Sequence, residues 1–323
     1  MDSSIVSIII PTLNEEAFLG LCLRSISKLE RPAGIGTLEV IVVDNFSTDS
    51  TPELARNAGV KLIQQPPKNV SNSRNTGAKA ANGAYLAFVD ADCELDPYWL
   101  VGCFEHLQKP EVVGAGTHIS APLPDAPWVE KYWYELGYQK PKNSATEVEW
   151  LPTFNLIVKR NAFFEVGGFN EKLTTCEDSD LGYKLSALGK LILESRITTR
   201  HHRESKTIPE FYKRERWRGM SNLQSFFMHK FSIRELPSLL FPLLFLGMLC
   251  VVPVLIFSAA IGWSSFCSVP IVLGGLFGGP VLQVLRKRIY PWQVKKFSAC
   301  LILAAVYLYA RSIALIKGAA RIS

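Results

Sequence analysis

The chain has 323 residues, of which 48% are hydrophobic, and a formal net charge of +6. This length is enough for one large domain with an appendage or for two domains. The mean hydropathy of +0.14 is high for a soluble enzyme and indicates a membrane portion. The charge is too small to indicate binding of nucleic acid. Most of the basic excess follows residue 195, beside an apolar tail, and this placement favours a membrane surface as partner.

The seven cysteines form no C-x-x-C pair, and three of them lie in the apolar tail. This pattern is typical of reduced thiols and argues against a disulfide framework or a zinc site. The first residues carry no basic stretch followed by a 7–15-residue apolar core, so we expect no signal peptide.

Strand, polar loop and helix alternate three times in the first 90 residues. Apolar, β-branched runs predict strands at 5–10, 38–43 and 60–63, and helical periodicity predicts helices at 15–29, 52–57 and 75–82. Asn14 is the expected N-cap of the first helix. The alternation predicts a doubly wound, mostly parallel α/β sheet. The first strand is not followed by G-x-G-x-x-G, so the sequence gives no support for a dinucleotide site of that type.

The apolar run 85–89 predicts a buried strand, and Asp90 and Asp92 follow it directly. Ligands of open α/β sheets bind at the carboxyl ends of the strands. Two carboxylates there can hold Mg²⁺ or Mn²⁺, which prefer oxygen ligands. The alternative is an acidic turn that only caps the next helix, and the spacing alone does not decide between them.

A second acidic cluster opens a helix after the predicted strands 112–120 and 154–159. Thr174 or Thr175 is the expected N-cap, and the apolar stripe is predicted to be Leu181, Leu185 and Leu188. Glu177 and Asp178 fall on the stripe side, whereas Asp180 aligns with Lys184 on a flank. An acid on the apolar side of a helix start is a candidate general base with a shifted pKa, and the alternative is that all three acids only complement the helix dipole. The Trp-rich stretch 121–152 contains an amphipathic piece at 128–136, which either forms a binding surface or covers the sheet.

No charged residue or histidine occurs between positions 236 and 285, which leaves room for two transmembrane helices at 236–261 and 266–285. A third apolar segment, 297–316, contains Arg311. It either spans the membrane or lies in the interface with Arg311 snorkelling. The basic loop 286–296 is predicted to be cytoplasmic by the positive-inside rule, and the hairpin then places the N-terminal domain in the cytoplasm. The segment 206–235 mixes basic and aromatic residues, as in a segment at an anionic membrane surface.

Together these motifs resemble the family 2 glycosyltransferases with a GT-A fold. The matching stretches cover roughly residues 5–220 and are 7–16 (SIIIPTLNEE), 40–51 (VIVVDNFSTDST), 73–78 (SRNTGA), 90–92 (DAD), 167–169 (GGF) and 177–181 (EDSDL). The resemblance implies a nucleotide-diphosphate-sugar donor and a Mg²⁺ or Mn²⁺ cofactor. Together with the apolar tail it gives three expected regions: a catalytic domain at 1–205, the interfacial segment at 206–235 and a membrane domain at 236–323.

The resemblance also assigns roles to individual residues. It implies a donor site formed by Pro11, Thr12, Asn14, Glu16, Asp44, Arg74 and Asp90. Asp90 and Asp92 would hold the metal, and His201 or His202 could complete its shell; we expect His202. Asp178 would be the base that deprotonates the acceptor, which supports direct displacement with inversion.

Arg216 and Trp217 are expected to contact the acceptor or diphosphate. They match part of the Q-x-x-R-W motif of the processive synthases, but Lys213 replaces the Gln. We therefore expect transfer of one sugar to a membrane-embedded lipid acceptor, such as a polyprenyl phosphate or a lipid-linked glycan precursor. The alternatives are a processive polysaccharide synthase and a catalytically silent membrane scaffold.

Overall fold

A computed structural model describes residues 4–137, 144–228, 236–260 and 268–322. The chain divides into two units. The first is formed by Met1–Ser120 and Lys140–Arg203, and the second by Ala121–Gln139 and Glu204–Ser323. The segment 121–139 lies within the expected catalytic domain in sequence but belongs to the second unit in the structure.

The described residues form nine strands and twelve helices. The strands are β1 (Ser4–Thr12), β2 (Ile35–Asp44), β3 (Lys61–Gln64), β4 (Tyr85–Val89), β5 (Cys93–Glu94), β6 (Val112–Ile119), β7 (Thr146–Val148), β8 (Asn155–Lys159) and β9 (Lys190–His201). The helices are α1 (Leu19–Ser27), α2 (Thr51–Asn57), α3 (Val70–Ala80), α4 (Trp99–Leu107), α5 (Trp128–Gly137), α6 (Arg160–Glu165), α7 (Glu177–Ser186), α8 (Ile208–Arg218), α9 (Asn222–Met228), α10 (Leu236–Ala260), α11 (Ser268–Arg286) and α12 (Val294–Ile322).

All the strands belong to the first unit and form one sheet in the order β3-β2-β1-β4-β8-β6-β9-β5, with β7 also paired to β9. β1, β2, β3 and β4 are parallel, β8 is antiparallel to β4 and β6, and β9 is parallel to β6. The predicted α/β sheet with mostly parallel strands is therefore confirmed. As a result, β1, β2, β4, β6 and β9 all end at the same edge of the sheet.

The core of the first unit lies on both faces of this sheet. Side chains of β1 alternate: Ile8 and Ile10 join a cluster with α1 and α4, whereas Ile9 joins a cluster with α3, α6 and α7. This alternation follows from the two-residue period of a strand. Because helices cover both faces, the central strands read as continuous β-branched runs.

Three local predictions about the helices were wrong. Asn14 does not cap the first helix, which begins at Leu19, and adopts a left-handed conformation with φ 55°. Neither Thr174 nor Thr175 caps α7, because the N-cap position is taken by Cys176 at φ 66°. Leu181 and Leu185 are buried as predicted, but Leu188 is 41% exposed because α7 ends before it.

The second unit is helical. Within its described residues, Leu236–Val254 and Val294–Gly318 are long and apolar enough to cross a membrane by length and composition. The predicted span 266–285 overlaps α11. The predicted turn 262–265 lies outside the described residues. α5, α8 and α12 share a buried cluster that includes Val129, Phe211 and Leu303.

Candidate active site

The ends of β1 and β2 hold a buried carboxylate. Thr12 and Asp44 are register partners, and the Thr12 hydroxyl donates to an Asp44 oxygen at 3.4 Å. Asp44 is fully buried and also accepts from the Gln64 amide at 3.2 Å and from the Ser47 N–H at 3.3 Å. These bonds hold the Asp44 carboxylate, which can only accept hydrogen bonds when ionised, at the carboxyl ends of the strands, where α/β sheets bind ligands.

The loops that follow β1 and β2 are tied together by the other residues of the first motif. Asn14 accepts from the Thr48 N–H at 2.9 Å, and Glu16 accepts from the Ser50 N–H at 3.1 Å. Pro11 lies within β1, opposite Val43. Asn14 and Glu16 therefore shape the two loops around Asp44.

Arg74 joins α3, β4 and α7 through one buried ion-pair bridge. Its guanidinium lies 2.7 Å from an Asp90 oxygen and 2.9 Å from a Glu177 oxygen, and its side chain is 3% exposed. Burial disfavours the charged guanidinium, but the two carboxylates outweigh it and raise the pKa of Arg74. This bridge links the first aspartate of the D-x-D motif to the start of the helix that carries Asp178.

A candidate metal centre lies where β5 pairs with β9. One ligand atom from each of Asp92, Cys93 and His201 lies within 4.8 Å of the others, and His201 Nε2 is 3.5 Å from Asp92 Oδ1. His202 instead lies 3.1 Å from Glu94 and stacks on the Phe18 ring. The carboxylate oxygen of Asp92 fits Mn²⁺ or Mg²⁺, whereas the Cys93 thiol is a softer donor than either ion prefers. The geometry favours His201 over His202, the histidine expected from the sequence, as a ligand.

The three acids of α7 have different surroundings. Glu177 binds Arg74, and the fully buried Asp180 lies 2.6 Å from Lys184. In the part of the chain that the structure describes, no lysine or arginine forms an ion pair with Asp178. Burial, reinforced by the charge of Glu177, raises the pKa of Asp178 to about 6. A carboxylate with a raised pKa is a better proton acceptor near neutral pH than an ordinary aspartate.

Glu15 is a further candidate site residue, which the sequence did not identify. Its carboxylate lies 2.7 Å from Arg203, which is two residues after His201 of the candidate metal centre. Burial raises its pKa to about 7, with Arg203 opposing the shift and Asp92 and Asp90 adding to it. The adjacent acids at 15 and 16 were the available signal, but nothing local in the sequence indicates the pairing with Arg203.

Arg216 and Trp217 lie on α8, in the second unit. Arg216 stands over the Tyr212 ring at 5.6 Å, and Trp217 is 49% exposed. Both side chains therefore belong to the surface of the second unit rather than to its core.

Comparison with known proteins identifies the family. Residues 7–168 match the model of glycosyl transferase family 2, which is half of the chain. The chain belongs to this family. Its fold is GT-A, as the sequence predicted: the mannosyltransferase PcManGT of Pyrobaculum calidifontis, solved with GDP-Man and Mn²⁺, superposes with a TM-score of 0.64. That match covers 95% of this chain and 88% of that chain at 19% identity, a level that establishes the fold alone.

Two relatives in sequence are also glycosyltransferases. Glycosyltransferase AglE of Haloferax volcanii is 29% identical over 194 residues, which is 56% of this chain and 63% of that protein. Validoxylamine A glucosyltransferase of Streptomyces hygroscopicus is 27% identical over 227 residues, 57% of this chain and 52% of that protein. The matches thus span less than two thirds of the length of either relative.

His201, the last residue of β9, and His202, which follows it, make separable predictions. We expect His201→Gln to weaken Mn²⁺ binding by at least about tenfold, because it removes a nitrogen beside Asp92. His202→Gln should leave Mn²⁺ affinity within about twofold, since His202 faces Glu94. Calorimetric titration of Mn²⁺ into the two purified variants measures this difference. If only the His202 variant binds Mn²⁺ more weakly, His202 is the metal ligand.

Proposed function

We propose that this protein is a metal-dependent, inverting glycosyltransferase. It moves one sugar from a nucleotide-diphosphate sugar to a lipid-linked acceptor, a polyprenyl phosphate or a lipid-linked glycan precursor, in cell-envelope or exopolysaccharide biosynthesis. The observation that supports it most is the pair of side-chain contacts within one unit: Arg74 joins Asp90 to Glu177, and Asp92 lies 3.5 Å from His201. Family membership supports the reaction type, and the structural neighbour PcManGT, solved with GDP-Man, suggests the donor class.

Each part of the linked site has a chemical task in this proposal. The buried Asp44 accepts hydrogen bonds from the base or ribose of the donor, with Thr12 orienting its carboxylate. A divalent cation held by Asp90, Asp92 and His201 would supply charge neutralisation for the leaving diphosphate. Asp178 takes the proton from the acceptor hydroxyl or phosphate. The acceptor oxygen attacks the anomeric carbon on the side opposite the leaving nucleoside diphosphate. That geometry inverts the anomeric centre.

The direct test is release of nucleoside diphosphate by the detergent-purified protein. A panel of UDP-, GDP- and dTDP-sugars is incubated with a lipid-phosphate acceptor and Mn²⁺, and the released nucleotide is quantified. One donor should give release that EDTA abolishes and that Asp92→Asn lowers while its thermal unfolding stays unchanged. Release by none of the donors, or full activity of Asp92→Asn, would overturn the proposal.

The lipid acceptor is supported by the second unit. It carries two helices of membrane-spanning length and a helix, α8, with Lys213, Arg214, Arg216 and Arg218. Arg216 and Trp217 also match part of the Q-x-x-R-W motif of processive synthases, but Lys213 occupies the position of its Gln. The length of the product distinguishes the two enzymes. A silent scaffold is disfavoured because every acid that the chemistry needs is present.

We propose that the catalytic unit faces the cytoplasm, on the basic loop 286–296 and the positive-inside rule. Ser47→Cys and Ser264→Cys, each in a cysteine-free chain, report the side by labelling of intact cells. An impermeant maleimide should modify position 264 and spare position 47. The reverse pattern would invert the topology.

Arg216→Ala tests acceptor docking. A planar guanidinium suits phosphate oxygens, so its loss should raise the KM for the lipid acceptor by about tenfold or more while donor KM is unchanged. Lys213→Ala is the matched control, because Lys213 is an exposed cation on the same helix. If both variants show the same small rise, α8 only anchors the protein to anionic lipid, at about 1 kcal/mol per cation.

A further inference from the structure

α12 meets the length and hydropathy criterion for a membrane span, yet α8 runs alongside its C-terminal half. The Tyr212 and Tyr309 rings stack at 5.8 Å, and Glu215 pairs with Arg311 at 2.9 Å. Further along, Gly219 packs so closely on Ala314 that a Cβ there would lie 2.8 Å from it. The two helices are therefore in contact from about residue 309 onwards. Glu215 of α8 thus holds the Arg311 side chain within the second unit.

α8 is too polar to lie in hydrocarbon. It carries six charged side chains, of which Glu210 and Lys213 are exposed. A charged group at the bilayer centre costs at least about 2.5–3.5 kcal/mol. A helix with exposed charges of both signs cannot accompany a membrane span across the bilayer. The part of α12 that packs on α8 therefore lies outside the hydrocarbon core.

The N-terminal half of α12 has the same kind of partner. Lys296 pairs with Glu135 of α5 at 2.7 Å, and Tyr307 packs on Trp133 of the same helix at 5.6 Å. α5 itself carries Glu130 and Lys131, both outside the buried cluster that it forms with α12. Two helices that carry charged side chains thus follow one face of α12 over most of its length.

The opposite face of α12 is apolar and exposed. Ile302, Tyr309 and Ile316 are 47%, 42% and 51% exposed. They follow one another at seven-residue intervals, which places them in one stripe of an α-helix. Arg311 is nine residues after Ile302, a rotation of about 180°. Ile302 therefore points away from α8, and Tyr309, whose ring stacks on Tyr212, lies at the edge of the stripe nearest α8.

We propose that α12 lies in the plane of an anionic membrane surface, with the stripe Ile302, Tyr309 and Ile316 in the boundary between headgroups and acyl chains. α5 and α8 then stay on the aqueous side. Trp292 supports a membrane as the partner of this stripe. It is 76% exposed and stacks on Tyr290 at 4.5 Å just before α12. Aromatic rings of this kind are enriched at membrane interfaces, and the neighbouring cations suit anionic lipid; they are Arg286, Lys287, Arg288 and Lys295.

Depth measurement distinguishes this arrangement from a transmembrane α12. A nitroxide spin label is attached to one introduced cysteine at a time in a cysteine-free chain, which is placed in nanodiscs of phosphatidylcholine and phosphatidylglycerol. The three substitutions are Ile302→Cys, Tyr309→Cys and Ile316→Cys. Accessibility to oxygen and to a nickel chelate gives the depth of each label. The three labels should lie at one shallow depth. A spanning helix would separate the first and last by about 21 Å, since each residue rises about 1.5 Å.

α10 provides the matched control. Leu240 and Val254 are 44% and 65% exposed and are also fourteen residues apart. Their labels should differ in depth by up to about 21 Å if α10 crosses the bilayer. A comparable spread along α12 would overturn the proposal, and so would water-exposed labels at all three positions, which would assign the stripe to a protein partner. The measurement needs no sugar transfer, so its outcome is independent of the proposed activity.

Discussion

Asp178→Asn is expected to lower kcat by about 10²–10⁴-fold and to leave donor affinity unchanged. The amide keeps the shape of the side chain but cannot accept the acceptor's proton. Asp178 is the acid of α7 without a lysine or arginine ion pair in the described residues, so its loss should not break a bridge of the fold. Single-turnover transfer and titration of the donor separate the two quantities.

Asp180→Asn is the control within the same helix turn. It breaks the buried pair with Lys184, so it should lower the melting temperature more than it lowers kcat. If Asp180→Asn loses transfer while Asp178→Asn remains active, the base is Asp180. A melting temperature that falls in both variants with equal loss of kcat would contradict a specific role for Asp178.

The raised pKa of Asp178 adds a pH signature. Burial favours the neutral acid, so the group is protonated below pH about 6 and charged above it. Only the charged form accepts a proton. The kcat of the wild-type protein should therefore rise through pH about 6 and level off, and the residual activity of Asp178→Asn should lack this step. A wild-type profile that is flat between pH 5 and 7 would contradict the assignment.

The first unit was predictable because its strands carry a strong local signal. β4 has the bounds predicted from the apolar run 85–89, and the strands before it differ by a few residues. β5 and β7 were missed because two or three residues cannot display a period. The aspartates at the strand ends followed from the sheet itself, because parallel strands bring their carboxyl ends to one edge.

The pairings between distant residues were not predictable from one sequence. Arg74 lies 103 residues before Glu177, and Glu15 lies 188 residues before Arg203. Local patterns report which face of an element is buried, but not which side chain closes an ion pair across the fold. The sequence could not distinguish His201 from His202 for the same reason. The distinction depends on the pairing of Cys93 with His201, which the missed strand β5 makes.

Hydropathy had a similar limit in the second unit. It identified the apolar segment 297–316, but it cannot tell a lipid-facing helix from one that packs on polar neighbours. The pairing of Arg311 with Glu215, on a helix 96 residues away, carries that information. A charge inside an apolar run is therefore better interpreted from its partner than from its depth in the run.

Arg74→Ala is expected to lower the free energy of unfolding by about 3–5 kcal/mol and to remove most of the activity. It leaves the carboxylates of Asp90 and Glu177 without their shared cation at a largely buried position. Removing one partner of a buried ion pair has a cost of this size because the remaining charge is uncompensated. Urea denaturation followed by circular dichroism measures it. Arg56→Ala is the matched control, because the Arg56–Glu53 pair is exposed and should contribute at most about 1 kcal/mol.

Arg74→Lys separates the charge from the geometry of the bridge. An ammonium is a point charge and cannot hold two carboxylates in the fork that a guanidinium provides. We expect it to recover part of the stability but to leave kcat low, because α7 loses its fixed position beside Asp90. The positive charge of Arg74 also lowers the pKa of Asp178, so Arg74→Ala should shift the acid limb of its residual activity to higher pH, and Arg74→Lys should not. Equal acid limbs in the two variants would mean that Arg74 acts on the fold alone and not on the proton acceptor.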